Sequence, residues 1–176
     1  MTSSEPLPEF DPASSWTDPV DGDEQVSRLH EFMAMHIPFN RFLGLEVREV
    51  GEGRAVLAIP FRPELVGDPV RPALHGGVIS MLADTAGGAA VMAGVGLEAL
   101  VSTIDLRVDY LRPGALLELV AEASLVRLGG RVGVARIQVW QDSDEGNDSA
   151  EARPATNDAR RLIAEATGVY SVYRPQ

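Results

Sequence analysis

The stretch 71-RPALHGGVISMLADTAGGAAVMAGVG-96 decides the fold. After Pro72 it reaches His75-Gly76-Gly77 and then turns apolar. Val78, Ile79, Met81, Leu82, Ala83, Ala86, Ala89, Ala90, Val91 and Met92 leave almost no polar side. A helix that is apolar nearly all round is a buried one. The run is broken by Gly, Ser, Thr and Asp, which argues against a membrane span. Its length and its lack of a β-branched majority favour helix over strand. The pattern predicts a central helix from Gly77 to about Ala93, with the rest of the domain wrapped around it.

Asp84 is the only ionisable side chain between His75 and Glu98. Helical spacing puts it on one face with Ser80, Gly87 and Gly88. A buried, unpaired carboxylate is costly, so this acid is a candidate for chemistry. At the head of the helix, Gly76 and Gly77 present amides with no side chain in the way. A helix N-terminus leaves its first N–H groups unpaired and carries partial positive charge. Donors of that kind stabilise a developing oxyanion. The predicted helix thus carries an oxyanion site at its tip and a general base or nucleophile further down. His75 at the tip is either part of the chemistry or a capping residue.

Outward from the helix the chain reads as strands. Leu43–Val50 and Arg54–Phe61 alternate, with Gly51-Glu52-Gly53 as the turn. A Pro-rich loop, Arg62–Ala73, leads into the helix. Val101–Leu111, Leu116–Leu128, Arg131–Gln141 and Leu162–Tyr173 are four more strands, with Gly129-Gly130 as a tight turn. On Val101–Leu111, the residues Ile104, Leu106, Val108 and Tyr110 share a face. Before the strands, Glu24–His36 has helical spacing and is ended by Pro38. His30 and His36 cannot share a face of that helix, which removes a metal pair. The class is α+β: a curved antiparallel sheet of about six strands around one long helix.

The chain has 176 residues, enough for one domain with a sizeable core, and no cysteine. Its net charge is −11. Residues 1–24 hold seven acids and no base, and residues 142–158 hold six acids against Arg153. What remains is close to neutral, which argues against nucleic-acid binding. All 15 basic residues are arginine, which reads as genomic composition. Residues 1–23 read as an acidic, Pro-rich disordered tail, residues 24–176 as the domain, and 142–159 as an acidic loop insert. No leader and no span of 18 or more apolar residues is evident, so a cytoplasmic protein without a membrane is expected.

LHGGVISMLADTAGGAA at 74–90 resembles the HGG-x-x-x-x-L-x-D/E signature of hotdog-fold acyl-CoA thioesterases. The similar branch is the phenylacetate-type (PaaI-like) and hydroxybenzoyl-CoA one, and Leu82-Ala83-Asp84-Thr85-Ala86 is especially similar to phenylacetate-type members. The resemblance covers about residues 40–173. It implies the hotdog fold and hydrolysis of an acyl-CoA, with the Gly76 amide as oxyanion donor and Gly77 allowing close backbone approach. Thr103 matches a Ser/Thr that helps place water from the facing subunit. Homodimers, often paired again into tetramers, are implied, with neither metal nor bound cofactor. Ser80 on the Asp84 face, and Arg112, Arg127 and Arg131 for the phosphates of coenzyme A, are candidate substrate contacts. Related enzymes carry Asn or Gln about six residues before the HGG histidine. Here Pro69 stands there, after Asp68, and only a one-residue shift would let Asp68 reach the site. A non-catalytic acyl-CoA-binding module is the rival reading, and a purely structural dimerisation domain leaves Asp84 without a purpose.

Overall fold

The structure is a computed structural model and describes residues 22–142 and 160–175. The tail and the insert fall almost wholly outside the described residues. At their borders, Gly22 and Asp23 already belong to a helix and Asp142 still belongs to a strand.

Two helices lead in. α1 (Gly22–Glu31) passes into a π-helical turn at Phe32–His36, and α2 follows at Pro38–Leu43. Pro38 ends the first helix as expected but also starts the second, because proline at the first helical position loses no hydrogen bond. Gly44, at φ +66°, closes α2, so Leu43 is helical and β1 starts only at Glu46. The expected strand from Leu43 is corrected on this ground.

Six strands form one antiparallel sheet in the order β1-β2-β6-β7-β8-β5. They are β1 (Glu46–Gly51), β2 (Arg54–Ile59), β5 (Leu100–Tyr110), β6 (Leu119–Leu128), β7 (Val132–Asp142) and β8 (Arg160–Tyr173). Short β3 (Val66–Asp68) and β4 (Ala73–Leu74) pair within the loop before the central helix. The β1–β2 turn runs through Glu52 and Gly53, both at positive φ, which matches the twist a hairpin needs. Strand β6 begins three residues later than its sequence pattern suggests. The buried Gln141 side chain takes the Ala115 amide and donates to the carbonyls of Ala115 and Leu117, so that segment leaves the ladder.

α3 (Gly76–Val95) lies on the sheet and touches all six strands. Alanines make the close fit: Ala83, Ala86, Ala89 and Ala90 are buried against Ala121, Ala123, Ala135, Ala164 and Ala166. Leu82, Val91 and Ile79 fill the larger gaps, and truncating a core leucine such as Leu82 costs about 2–5 kcal/mol. By length and composition α3 could cross a bilayer, but half of that window is buried inside the domain. It is a core helix, and one correction applies to it. The helix is not covered all round: Gly77, Ser80, Met81, Asp84, Thr85, Gly88 and Met92 lie on a partly open flank. β5 is an edge strand, and Ile104 (59%) and Tyr110 (53%) on it stay exposed.

Candidate active site

Asp84 sits midway down α3 on the open flank and is partly exposed rather than buried. It is also paired, since the Thr103 hydroxyl donates to its Oδ1 at 2.9 Å. Behind it, the Tyr170 hydroxyl donates to the Asp84 backbone carbonyl at 3.0 Å. Thr103 and Tyr170 are cross-strand partners on β5 and β8, so one rung of the ladder holds both the side chain and the backbone carbonyl of the aspartate. A β-bulge at Ile104, between Thr103 and Asp105, breaks the simple alternation of β5 at this point. Burial first, and then the charge and hydrogen bonding of Asp84, push the Tyr170 phenol well above its ordinary pKa. It therefore remains a neutral donor at all working pH values.

Tyr170 was not among the residues singled out by sequence. Its slot is cut from two glycines: a Cβ at Gly87 or Gly168 would overlap the phenol. Gly87 therefore packs against Tyr170 and is buried, so of the three residues expected on the Asp84 face, Ser80 and Gly88 share its open flank.

At the tip of α3, His75 is the N-cap and its Nδ1 accepts the Gly77 amide at 2.8 Å. The two amides of the glycine pair therefore differ. Gly77 is engaged. Gly76, the first helical residue, has no intrahelical acceptor, and no described residue supplies one. The imidazole also explains Gly77, since a Cβ there would come within 2.8 Å of Nδ1. Gly67 on β3 lies against the His75 backbone in the same way, a requirement that sequence spacing did not reveal. Beside Gly76 is an open groove of about 320 Å³, lined in part by Leu74, Ile79, Tyr110, Arg112 and Gly114. The Tyr110 hydroxyl donates to the Gly76 carbonyl at 3.2 Å.

The other candidates divide. Ser80 shares the Asp84 flank and donates to the Gly77 carbonyl at 3.2 Å. Asp68 is engaged within its own loop. Its carboxylate accepts the Val70 and Arg71 amides and pairs with the Arg71 side chain, which holds its pKa below the usual carboxylate value. Arg112 donates to the Leu162 carbonyl near the helix tip. Arg127 and Arg131 stand exposed at the β6–β7 turn, where Val132 and Ser102 both pair with Ser171. That is the far end of β5 from Arg112, so one chain does not gather the three arginines. Thr103 contacts Asp84 of its own chain, where the resemblance had it serving the facing subunit.

Comparison with known proteins fits this geometry. Residues 72–146 match the family model described as Thioesterase superfamily. The chain is 34% identical over 164 residues to the medium/long-chain acyl-CoA thioesterase YigI of Salmonella typhimurium, covering 85% of this chain and 95% of that protein. A solved structure from Shewanella oneidensis, related to the thioesterase superfamily, superposes with a TM-score of 0.69 at 30% identity, covering 86% of this chain and 97% of the other. A mutant of the phenylacetic acid degradation protein PaaI from Thermus thermophilus gives a TM-score of 0.59 at 27% identity, covering 78% of this chain and 99% of the other. With its six-stranded sheet, central helix and HGG tip, the chain belongs to the thioesterase superfamily and is a hotdog-fold thioester hydrolase.

Proposed function

We propose that the protein hydrolyses a medium- or long-chain acyl-CoA to the free acid and coenzyme A, with Asp84 as general base. The observation that carries this reading is the Asp84 carboxylate itself: it reaches the open flank of α3 with Oδ1 held by Thr103. That leaves Oδ2 to accept a proton. The water oxygen attacks the thioester carbonyl carbon as Oδ2 takes the water proton. The oxyanion collapses, the C–S bond breaks, and coenzyme A leaves as the thiolate. The substrate class follows the YigI relatives at 34% identity.

Gly76 and Asp84 are eight residues apart, roughly 12 Å along the helix. An oxyanion donor must lie about 3 Å from the oxygen it stabilises. One chain therefore does not bring both groups to one carbonyl, and a second copy completes the site. α3 runs against β5, so Gly76 lies at the Tyr110 end and Asp84 at the Thr103 end. Two β5 edges paired about a two-fold axis exchange those ends, setting Asp84 of one chain toward Gly76 of the other. The exposed edge with Leu100, Ile104 and Tyr110 supports such a pairing.

Thiol release from a panel of acyl-CoAs tests the activity, and absence of release from every member would overturn it. Mixing two dead variants tests the shared site. Asp84→Asn removes the base, and Gly76→Pro removes the amide at a position where proline fits a helix. Mixed dimers regain one intact site if the groups come from different chains. No recovery on mixing would place the whole site in one chain.

A further inference from the structure

Glycine inside a helix is destabilising relative to alanine, so it calls for a reason. Gly88, one turn past Asp84 on the open flank of α3, has none among the described residues. A Cβ there would meet only Tyr170 Cε1, at 3.6 Å, an ordinary contact, and its φ is not in the left-handed region. Its neighbour Gly87 is the opposite case, because a Cβ there would overlap the Tyr170 phenol and press on Ile137 Cδ1 at 3.1 Å. Among the described residues, nothing but Tyr170 comes within 4 Å of that Cβ, and Gly88 leaves the space beside it open. What borders it is apolar. Met92 lies one turn further and is partly open, while Met81 stands on the other side of Asp84, where the Thr85 hydroxyl turns to its sulfur at 3.4 Å. Methionine makes an adaptable wall for a flexible chain. The strip begins at the carboxylate and runs about 12 Å to Met92.

We infer that Gly88 is a specificity-determining residue: the gap it leaves beside Asp84 admits an extended aliphatic acyl tail running toward Met92. This rests on the acyl-CoA reading above. A tail whose carbonyl lies at Asp84 continues along this strip, and a side chain at position 88 would stand in its way.

The test compares wild type, Gly88→Ala and Gly88→Leu. The kcat/KM for myristoyl-CoA is divided by that for butyryl-CoA, and sedimentation gives the mass of each variant. Apolar pockets discriminate by roughly 10–200-fold per methylene-sized change. The ratio should fall about 10–100-fold in Gly88→Leu and less in Gly88→Ala, with the mass unchanged. Both substitutions favour helix, so folding is protected. An unchanged ratio overturns the inference, as does an equal fall for both substrates. A changed mass also overturns it, since a second copy would then fill the gap. Calorimetric binding of myristoyl-CoA separates this from the hydrolysis reading. If wild type binds it without turnover and Gly88→Leu weakens binding tenfold, the hydrolysis reading falls and the inference stands. If wild type neither binds nor hydrolyses it, both fall.

Discussion

Two glycine pairs lie on one helix, Gly76-Gly77 at its tip and Gly87-Gly88 near its middle, and they divide the same way. In each pair one glycine is demanded by packing. Gly77 yields to the His75 imidazole and Gly87 to the Tyr170 phenol. The other member of each pair has room for a methyl group, with only a tyrosine ring at 3.6 Å: Tyr110 beside Gly76 and Tyr170 beside Gly88. The packed glycines set where the helix and its cap sit. The unpacked ones leave backbone and space open beside the two candidate chemical groups, the tip amide and Asp84. Identical residues a few ångströms apart thus have different reasons to exist, and only the neighbours tell which is which.

The largest expected effect is on Asp84, beside the second pair. Asp84→Asn should lower kcat by about 10²–10⁴-fold with the melting temperature held, since the amide is nearly isosteric and uncharged. Steady-state thiol release with a parallel melt checks this. Turnover within a few-fold of wild type would make the acid structural. Next comes the tip. Gly76→Pro should cost about 10²–10³-fold in kcat, as loss of an oxyanion donor does, while the circular dichroism spectrum stays native. The packed members should behave in reverse. Gly87→Ala is expected to lose roughly 1–3 kcal/mol of stability by forcing Tyr170 out of its slot. Gly77→Ala should lose about 1 kcal/mol, because the exposed His75 can turn away at the cost of its cap. Urea midpoints would show it, and a Gly87→Ala protein as stable as wild type would erase the division between the pairs. Thr103→Val removes one hydrogen bond to a carboxylate, and a fall of about tenfold in kcat/KM is expected, corresponding to roughly 1.5 kcal/mol. The smallest effect is for Tyr170→Phe, which deletes the bond to the Asp84 carbonyl and should cost about 1 kcal/mol of stability. Its denaturation curve, set beside that of Gly87→Ala, separates the hydroxyl from the ring.

Much of the fold was legible because it rests on local periodicity. The central helix was expected from Gly77 to about Ala93 and runs from Gly76 to Val95. All six sheet strands were found, and their edges moved where a non-local contact overrode the pattern. Gln141 removes 115–117 from a strand that composition alone would start at Leu116. Gly44 delays β1, and Pro38 opens a helix as well as closing one. At the site, Asp84 and the glycines stand out by type and spacing. Tyr170 does not, because its bond to Asp84 spans 86 residues of sequence. The signal that could have found it was paired: a helix glycine and a strand glycine, Gly87 and Gly168, both making room for one side chain. Asp68 illustrates the converse. Its place in the sequence suggested a site residue, and its own loop takes both oxygens.

The meeting of β7 and β8 has a consequence for how the chain tolerates change. Asp142 and Arg160 are paired across the ladder, and Arg160 also lies over the Trp140 ring and pairs with Glu122. The ends of β7 and β8 that flank residues 143–159 are therefore held at one rung. Closing a chain between two such anchors has an entropic cost that grows only with the logarithm of its length, about 0.6 kcal/mol for each doubling. Gln141, bonded three times just before the rung, ties the end of β7 to Ala115 and Leu117 by the groove. An insertion or an affinity label placed between these two anchors is expected to leave the helix tip undisturbed, and unchanged thiol release by the labelled protein would check it.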